Sequence, residues 1–224
     1  MTQIYKSIIS GDVAALAKAI DGMSAQQLDA PVFGKSWSAL TMAVRLKKID
    51  CIKLLMSYGA SAQEVASPNS DGFLGSIPAI IVAAVDGDEK VLRTLIDMGA
   101  DVNAKNADDQ TALMFCASNY GDSYNEGVVD LLLRNGVNVH DCDKSGNTAL
   151  HYACKNDCIM LATKLVQEFG ADAWVRNSNG ATPIELASEA QRQRFADILG
   201  SRIANEFSGV QSAAAPSVKS MSPF

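Results

Sequence analysis

The residues best suited to metal or thiol chemistry in this 224-residue chain are its two histidines and five cysteines, and they gather most closely in GNTALHYACKNDC, Gly146 to Cys158. His151, Cys154 and Cys158 stand at i, i+3 and i+7, which on one continuous helix would put an imidazole and two thiols on a single face. A tetrahedral metal takes about four ligands, so the set would have to recruit His140, Cys142 or Cys116 from elsewhere. Other catalytic signatures are absent: there is no GxSxG, no glycine-rich loop ahead of Lys-Ser/Thr and no HExxH. Asp86, Asp88, Asp108 and Asp109 fall in turn-like stretches, where Asp is favoured because its carboxylate bonds the local backbone.

Composition narrows the classes further. A formal charge of −6 and a pI near 4.9 argue against a nucleic-acid surface, which needs clustered Lys and Arg. Lys35, Arg45, Lys47, Lys48 and Lys53 form one modest basic neighbourhood, but they alternate with apolar residues as solvated helix faces do. No run is long enough for a membrane span, and the opening MTQIYKSIISGDVAALAKAI carries Asp12 and lacks the layout of a signal peptide. Five cysteines without a regular framework fit reduced thiols in a cytosol.

The elements that position these residues emerge from self-similarity. The stretch TALHYAC at Thr148 has relatives in SALTMA at Ser38, PAIIVAA at Pro78, TALMFCA at Thr111 and TPIELAS at Thr182. A second series ends in glycine, at Gly59, Gly99, Gly136 and Gly170. From motif start to glycine the spacing is 21, 21, 25 and 22 residues; from glycine to the next start it is 19 after Gly59 and 12 thereafter. The unit is therefore 33 residues, lengthened at two places. Ser38, Thr111, Thr148 and Thr182 suit helix N-caps, and Pro183 suits a first helical turn. Each cap opens a short helix, a polar turn such as VDGD or KNDC follows, and a second helix then runs with apolar residues at helical spacing, as in Val91, Leu92, Leu95 and Ile96. The glycines stand where a helix needs a left-handed C′ residue, and Asn- and Asp-rich turns lead to the next cap. In the third unit Pro78 replaces the capping Thr, so either Ser76 takes over the cap or the helix starts irregularly.

This pattern resembles the ankyrin-repeat family, whose unit is 33 residues with a TPLHxA signature. The resemblance implies an all-α ankyrin-repeat solenoid of about six helix–turn–helix units joined by β-hairpin-like turns. By this reading residues 1–200 are the repeat domain, with units near 1–32 (an N-terminal cap), 33–65, 73–105, 106–142, 143–176 and 177–200 (a C-terminal cap whose Gln191 to Arg194 give a polar outer face). Residues 201–224, rich in Ser, Ala and Pro from Ser208 onward, cannot bury a core and read as a flexible tail. Ser36 and Asp109 occupy turn positions where the family usually has glycine. The resemblance also gives GNTALHYACKNDC a structural reading beside the ligand one. His151 becomes the family's hydrogen-bonding His between neighbouring units, Cys154 a small residue in a short helix, and Cys158 lies past the end of that helix.

The same resemblance implies a non-catalytic protein-binding module, an adaptor, scaffold or inhibitor, acting through a concave face and turn fingers. No cofactor and no nucleic acid are expected. The expected molecule is a monomer in the cytoplasm, with an exported bacterial effector acting in a host cytosol as the alternative, and a metal or thiol site at His151, Cys154 and Cys158 as an alternative of another class. Candidate contact residues are those that break the repeat. Trp37, just before the second unit's cap, either faces the partner or packs on the N-terminal cap, and Trp is enriched at binding hot spots. Phe73, Leu74 and Ile77 lie in the lengthened loop Glu64 to Pro78, while Tyr120 and Tyr124 lie in the insertion Ser118 to Gly127. Arg45, Leu46, Lys144, Asn147 and Lys155 complete the set, and Trp174 is a weaker candidate at a position that is often partly buried.

Overall fold

A computed structural model describes residues 2–30, 37–63, 77–118, 125–190 and 192–194. Among them run the helices α1 (Thr2–Ser10), α2 (Val13–Ile20), α3 (Ala25–Leu28), α4 (Ala39–Arg45), α5 (Ile49–Ser57), α6 (Ala79–Val85), α7 (Glu89–Asp97), α8 (Ala112–Ala117), α9 (Glu126–Arg134), α10 (Ala149–Lys155), α11 (Ile159–Gln167) and α12 (Pro183–Leu186), and residues 189–190 and 192–194 are also helical. The inner helices α1, α4, α6, α8, α10 and α12 pack in sequence against one another, and the outer helices α2, α5, α7 and α9 do the same. No strand forms among the described residues; one antiparallel bridge joins Cys142 to Thr148. None of the helices described is long and apolar enough to cross a membrane.

Helices α4, α6, α8 and α10 run six or seven residues, too short to persist alone, so burial against neighbours must hold them. Register-equivalent residues do this. Ala39, Ala79, Ala112 and Ala149 are buried at the first helical position, where a small side chain lets the inner helices approach closely. Leu40, Ile80, Leu113 and Leu150 follow them into the core, and Leu55, Leu95, Leu132 and Leu165 are fully buried from the outer helices. Burying each such side chain contributes about 1.5–3 kcal/mol.

Local chemistry sets the helix ends. Ser38 and Thr111 accept from Thr41 and Met114 NH, while Thr182 forms a reciprocal capping box with Glu185. Pro78 stands at the N-cap of α6 without a side-chain bond, and the Ala79 NH reaches the Ala62 carbonyl at 3.0 Å; Ser76, the alternative cap, lies outside the described residues. At the other end Gly59, Gly99 and Gly136 take φ of 90°, 88° and 82°. The residue after each returns its NH to Leu55, Leu95 and Leu132, the Schellman closure that a left-handed C′ glycine permits. Gly170 departs from the expected C′ place: α11 is capped by Glu168, so the glycine comes one residue later, and Ala171 NH reaches back to Leu165 across one extra residue. The additional residue already visible in the spacing of that unit is absorbed there.

Candidate functional site

The second half of the described solenoid carries three stacked fingers built on one plan. Asn106, Asp143 and Asn177 each accept, through Oδ1, backbone NH groups two and four residues on: Asp108 and Gln110, Ser145 and Asn147, Asn179 and Ala181. Each finger closes with a backbone bond, Asn106 to Gln110, Asp143 to Asn147 and Asn177 to Ala181, all at 3.0 Å. Successive fingers are tied by Lys144 NH to Asp108 O and by Ser178 NH to Ser145 O. The turn needs a left-handed residue, supplied by Gly146 and Gly180 and, in the first finger, by Asp109 at φ 61°. The backbone there keeps the conformation even though the glycine is missing.

His151 sits beneath this stack and is 1% exposed. Thr148 NH lies 3.1 Å from Nδ1, and an NH can only donate, so Nδ1 is the bare nitrogen and Nε2–H donates to the Ala181 carbonyl at 3.2 Å. The ring thus bridges the fifth and sixth units, as the family resemblance implies. Burial holds its pKa below the ordinary value, the hydrogen bond to Ala181 opposing that shift. Cys154 is buried in α10, whereas Cys158 is buried beyond its end, at the N-cap of α11. Among the described residues no cluster of three or more His, Cys, Asp or Glu could hold a metal. Desolvation pushes the Cys116 thiol up to about 12 and raises Cys51 and Cys154 as well, which opposes thiolate chemistry at those sites.

A second polar group, not foreseen from the sequence, fastens the fingers to α10. The Tyr152 hydroxyl donates to Asp143 Oδ2 at 2.5 Å and accepts from Gln110 Nε2 at 2.9 Å. Burial, reinforced by the bond to Asp143, pushes the Tyr152 pKa up to about 12, so it remains a neutral donor. Asn147 belongs to the same network: it donates to Asp143 and accepts from Asn177 Nδ2 at 2.8 Å. Its side chain is half-buried and engaged in holding fingers together.

The first half of the solenoid differs. Trp37 is half-buried, with the Arg45 guanidinium 5.1 Å from its ring centroid. Arg45 Nη1 also lies 3.4 Å from Asp86 Oδ1, and Lys47 pairs with Asp88 at 3.2 Å, so two basic residues of the second unit reach acids of the third. Hydrogen bonds from Val91 and Lys90 NH and the Lys47 ammonium hold the Asp88 carboxyl below its usual range. Leu46 is 42% exposed and Ile77 is half-buried against the core. Lys144 is exposed in the second of the three fingers and Lys155 at the end of α10. Phe73, Leu74, Tyr120 and Tyr124 lie outside the described residues, as does the segment 201–224. Trp174 is 42% exposed, not partly buried as its position suggested. Carrying the register of Arg45 along the chain finds two further exposed apolar residues, Ile9 and Val85, that a search for repeat-breaking aromatics passes over.

Helix pairs stacked in succession, with hydrogen-bonded fingers between them, define a helical repeat protein. The comparisons agree. A family model for ankyrin repeats, in three copies, matches residues 6–106, 80–177 and 113–206, and the chain belongs to the ankyrin-repeat family. The ankyrin repeat and SOCS box protein 16 of Mus musculus is 33% identical over 195 residues, and that of Homo sapiens 29%, the match covering 73% of this chain and 42% of the relative in both cases. A putative ankyrin repeat protein of Rickettsia bellii is 29% identical over 109 residues, 48% of this chain and 58% of that protein. The chain thus matches less than half the length of the two mammalian relatives. Ankyrin repeats in general are protein–protein interaction modules.

Proposed function

We propose that this chain is a non-catalytic binding module that holds a partner protein against its inner-helix face and fingers. One observation carries the reading. At register-equivalent positions the buried residues barely change, Leu40, Ile80, Leu113 and Leu150 for example, whereas the position at the inner-helix end ranges over aliphatic, basic and hydroxyl side chains: Ile9, Arg45, Val85, Ser118 at the cap of the shorter α8, and Lys155. A surface varied over a constant core is what selective recognition requires, since a few exposed anchors carry most binding energy. Photo-crosslinking residues placed at Leu46 or Lys155, and separately at Arg93 or Arg134 on outer helices, test this in lysate of the source cells. Adducts from the inner positions alone are expected; adducts confined to α7 and α9 would move the binding surface to the outer face.

A further inference from the structure

The exposed apolar residues of the inner face are not spread evenly. Ile9, Leu46 and Val85 are 46%, 42% and 53% exposed, and they fall at or beside the ends of α1, α4 and α6, three helices packed in succession. The matching places in the fourth and fifth units hold Ser118, Lys155 and Asn156. Charge changes in the same direction: residues 1–105, the first three units, hold ten Lys or Arg and eleven Asp or Glu, close to balance, while residues 106–224 hold nine and fourteen. In the middle of the apolar residues stands Arg45, its side chain 47% exposed and its guanidinium oriented by the Trp37 ring. Among the described residues it engages one carboxylate oxygen, through Nη1, which leaves Nε and Nη2 facing no acid. A guanidinium set over a ring, with donors that face no acid among the described residues, is suited to receive a second carboxylate.

We infer that the inner-helix ends of the first three units take a segment of a partner protein in which a Glu or Asp is flanked by bulky apolar residues. The carboxylate is received by Arg45 alongside Asp86, and the apolar side chains lie on Ile9, Leu46 and Val85. This rests on the binding-module reading and narrows it to one end of the face and one partner chemistry. An Arg set among exposed apolar residues, in the half of the chain where charge is near balance, selects such a segment, because the more acidic second half repels it from the fingers.

The test is a selection of displayed random peptides on the full chain, followed by affinities of the selected peptides for variants. Recovered sequences are expected to share an acid beside apolar residues. They should weaken by about tenfold or more on Arg45→Gln or Val85→Ser, lose part of that on Arg45→Lys, and bind Lys155→Glu as they bind the parent. Arg45 is exposed, so unchanged circular dichroism and melting temperature are expected and separate lost binding from lost folding. Peptides without acidic enrichment, or peptides that ignore Arg45 and fail on Lys155→Glu, overturn this inference while the binding-module reading stands. If no peptide is retained, both fail. Binding seen only after removal of residues 208–224 would assign the face to the chain's own tail, and self-association abolished by Arg45→Gln would assign it to a second copy; either result overturns a partner in trans.

Discussion

The finger stack of the fourth to sixth units and the inner-helix ends of the first three are made from the same repeat, yet they use their polar residues in opposite ways. In the fingers Asn106, Asp143, Asn147, Asn177 and Tyr152 satisfy one another and the local backbone. At the helix ends Arg45 and Lys47 make single exposed pairs, and pairs of that kind contribute about 0–1 kcal/mol. The difference teaches where to look in a repeat protein. Residues that keep the pattern are spent on holding the solenoid, and recognition falls to the places where exposed groups retain bonding capacity.

The largest expected effect breaks the scaffold side of this comparison. Leu150 is 1% exposed beneath the fingers, and Leu150→Ala should cost about 2–5 kcal/mol. Denaturant unfolding checks it. A loss below that range would mean that the neighbouring units collapse into the space, and that the stack is less rigid than its hydrogen bonding implies.

His151 supplies the next effect and a pH signature. Its folded-state pKa lies below the ordinary 6.5, so the unfolded chain binds the extra proton first as pH falls. The contribution is therefore complete above pH 6.5 and declines as pH drops through that value toward the lowered folded-state pKa. Protonation also removes the acceptor that Thr148 NH uses. His151→Ala should lower stability by about 1–3 kcal/mol, the cost of leaving buried partners unsatisfied. The variant should also abolish most of the slope in melting temperature between pH 6.5 and about 5, because carboxylates titrate mainly lower. A slope unchanged in the variant would place the titrating group elsewhere.

At the helix ends the expected effect falls on binding. Trp37→Ala should remove on the order of 2 kcal/mol of partner affinity, measured by calorimetry with a captured partner or selected peptide. Its contact with the half-exposed Arg45 guanidinium contributes about 0.5–1 kcal/mol to the fold, so only a small drop in melting temperature should accompany the loss. A sharp drop instead would make Trp37 part of the scaffold and erase the distinction between the two regions on its own side.

How much of this was legible in the sequence follows from the same distinction. Caps at Ser38, Thr111 and Thr182 and left-handed glycines at 59, 99 and 136 are readable because the repeat shows them several times over, while the bridging role of His151 follows from the family resemblance. Gly170 was misplaced by one position because an inserted residue can be absorbed on either side of a cap, and spacing does not say which. Tyr152 was missed because its partners, Gln110 and Asp143, come from two different fingers, and no local pattern shows that they converge. Asn147 was read as a contact residue because an Asn in a turn looks exposed in sequence; its ties to Asp143 and Asn177 appear only when the fingers stack. Ile9 and Val85 were within reach, as both share the register of Arg45, had every unit been aligned to that position.

The smallest predicted change tests whether the finger stack is as settled as it looks. Asp109 holds φ 61°, where Gly146 and Gly180 stand in the next two fingers. A left-handed residue with a Cβ costs roughly 1–2 kcal/mol, less for Asp and Asn, whose side chains bond locally. Against that, glycine loses more backbone freedom on folding, about 0.5–1 kcal/mol. Asp109 is exposed, and its carboxylate makes no hydrogen bond or ion pair among the described residues, although the backbone NH bonds Asn106 O. The two terms nearly cancel, so Asp109→Gly should change stability by less than about 1 kcal/mol, with relief of strain giving a small increase. Asp109→Val separates them: a β-branched residue suffers the full left-handed penalty with no local bond, so it should destabilise by about 1–2 kcal/mol. If valine were tolerated as well as glycine, the first finger would not be held in the left-handed turn of the other two, and its tie to Lys144 would be the weak link of the stack.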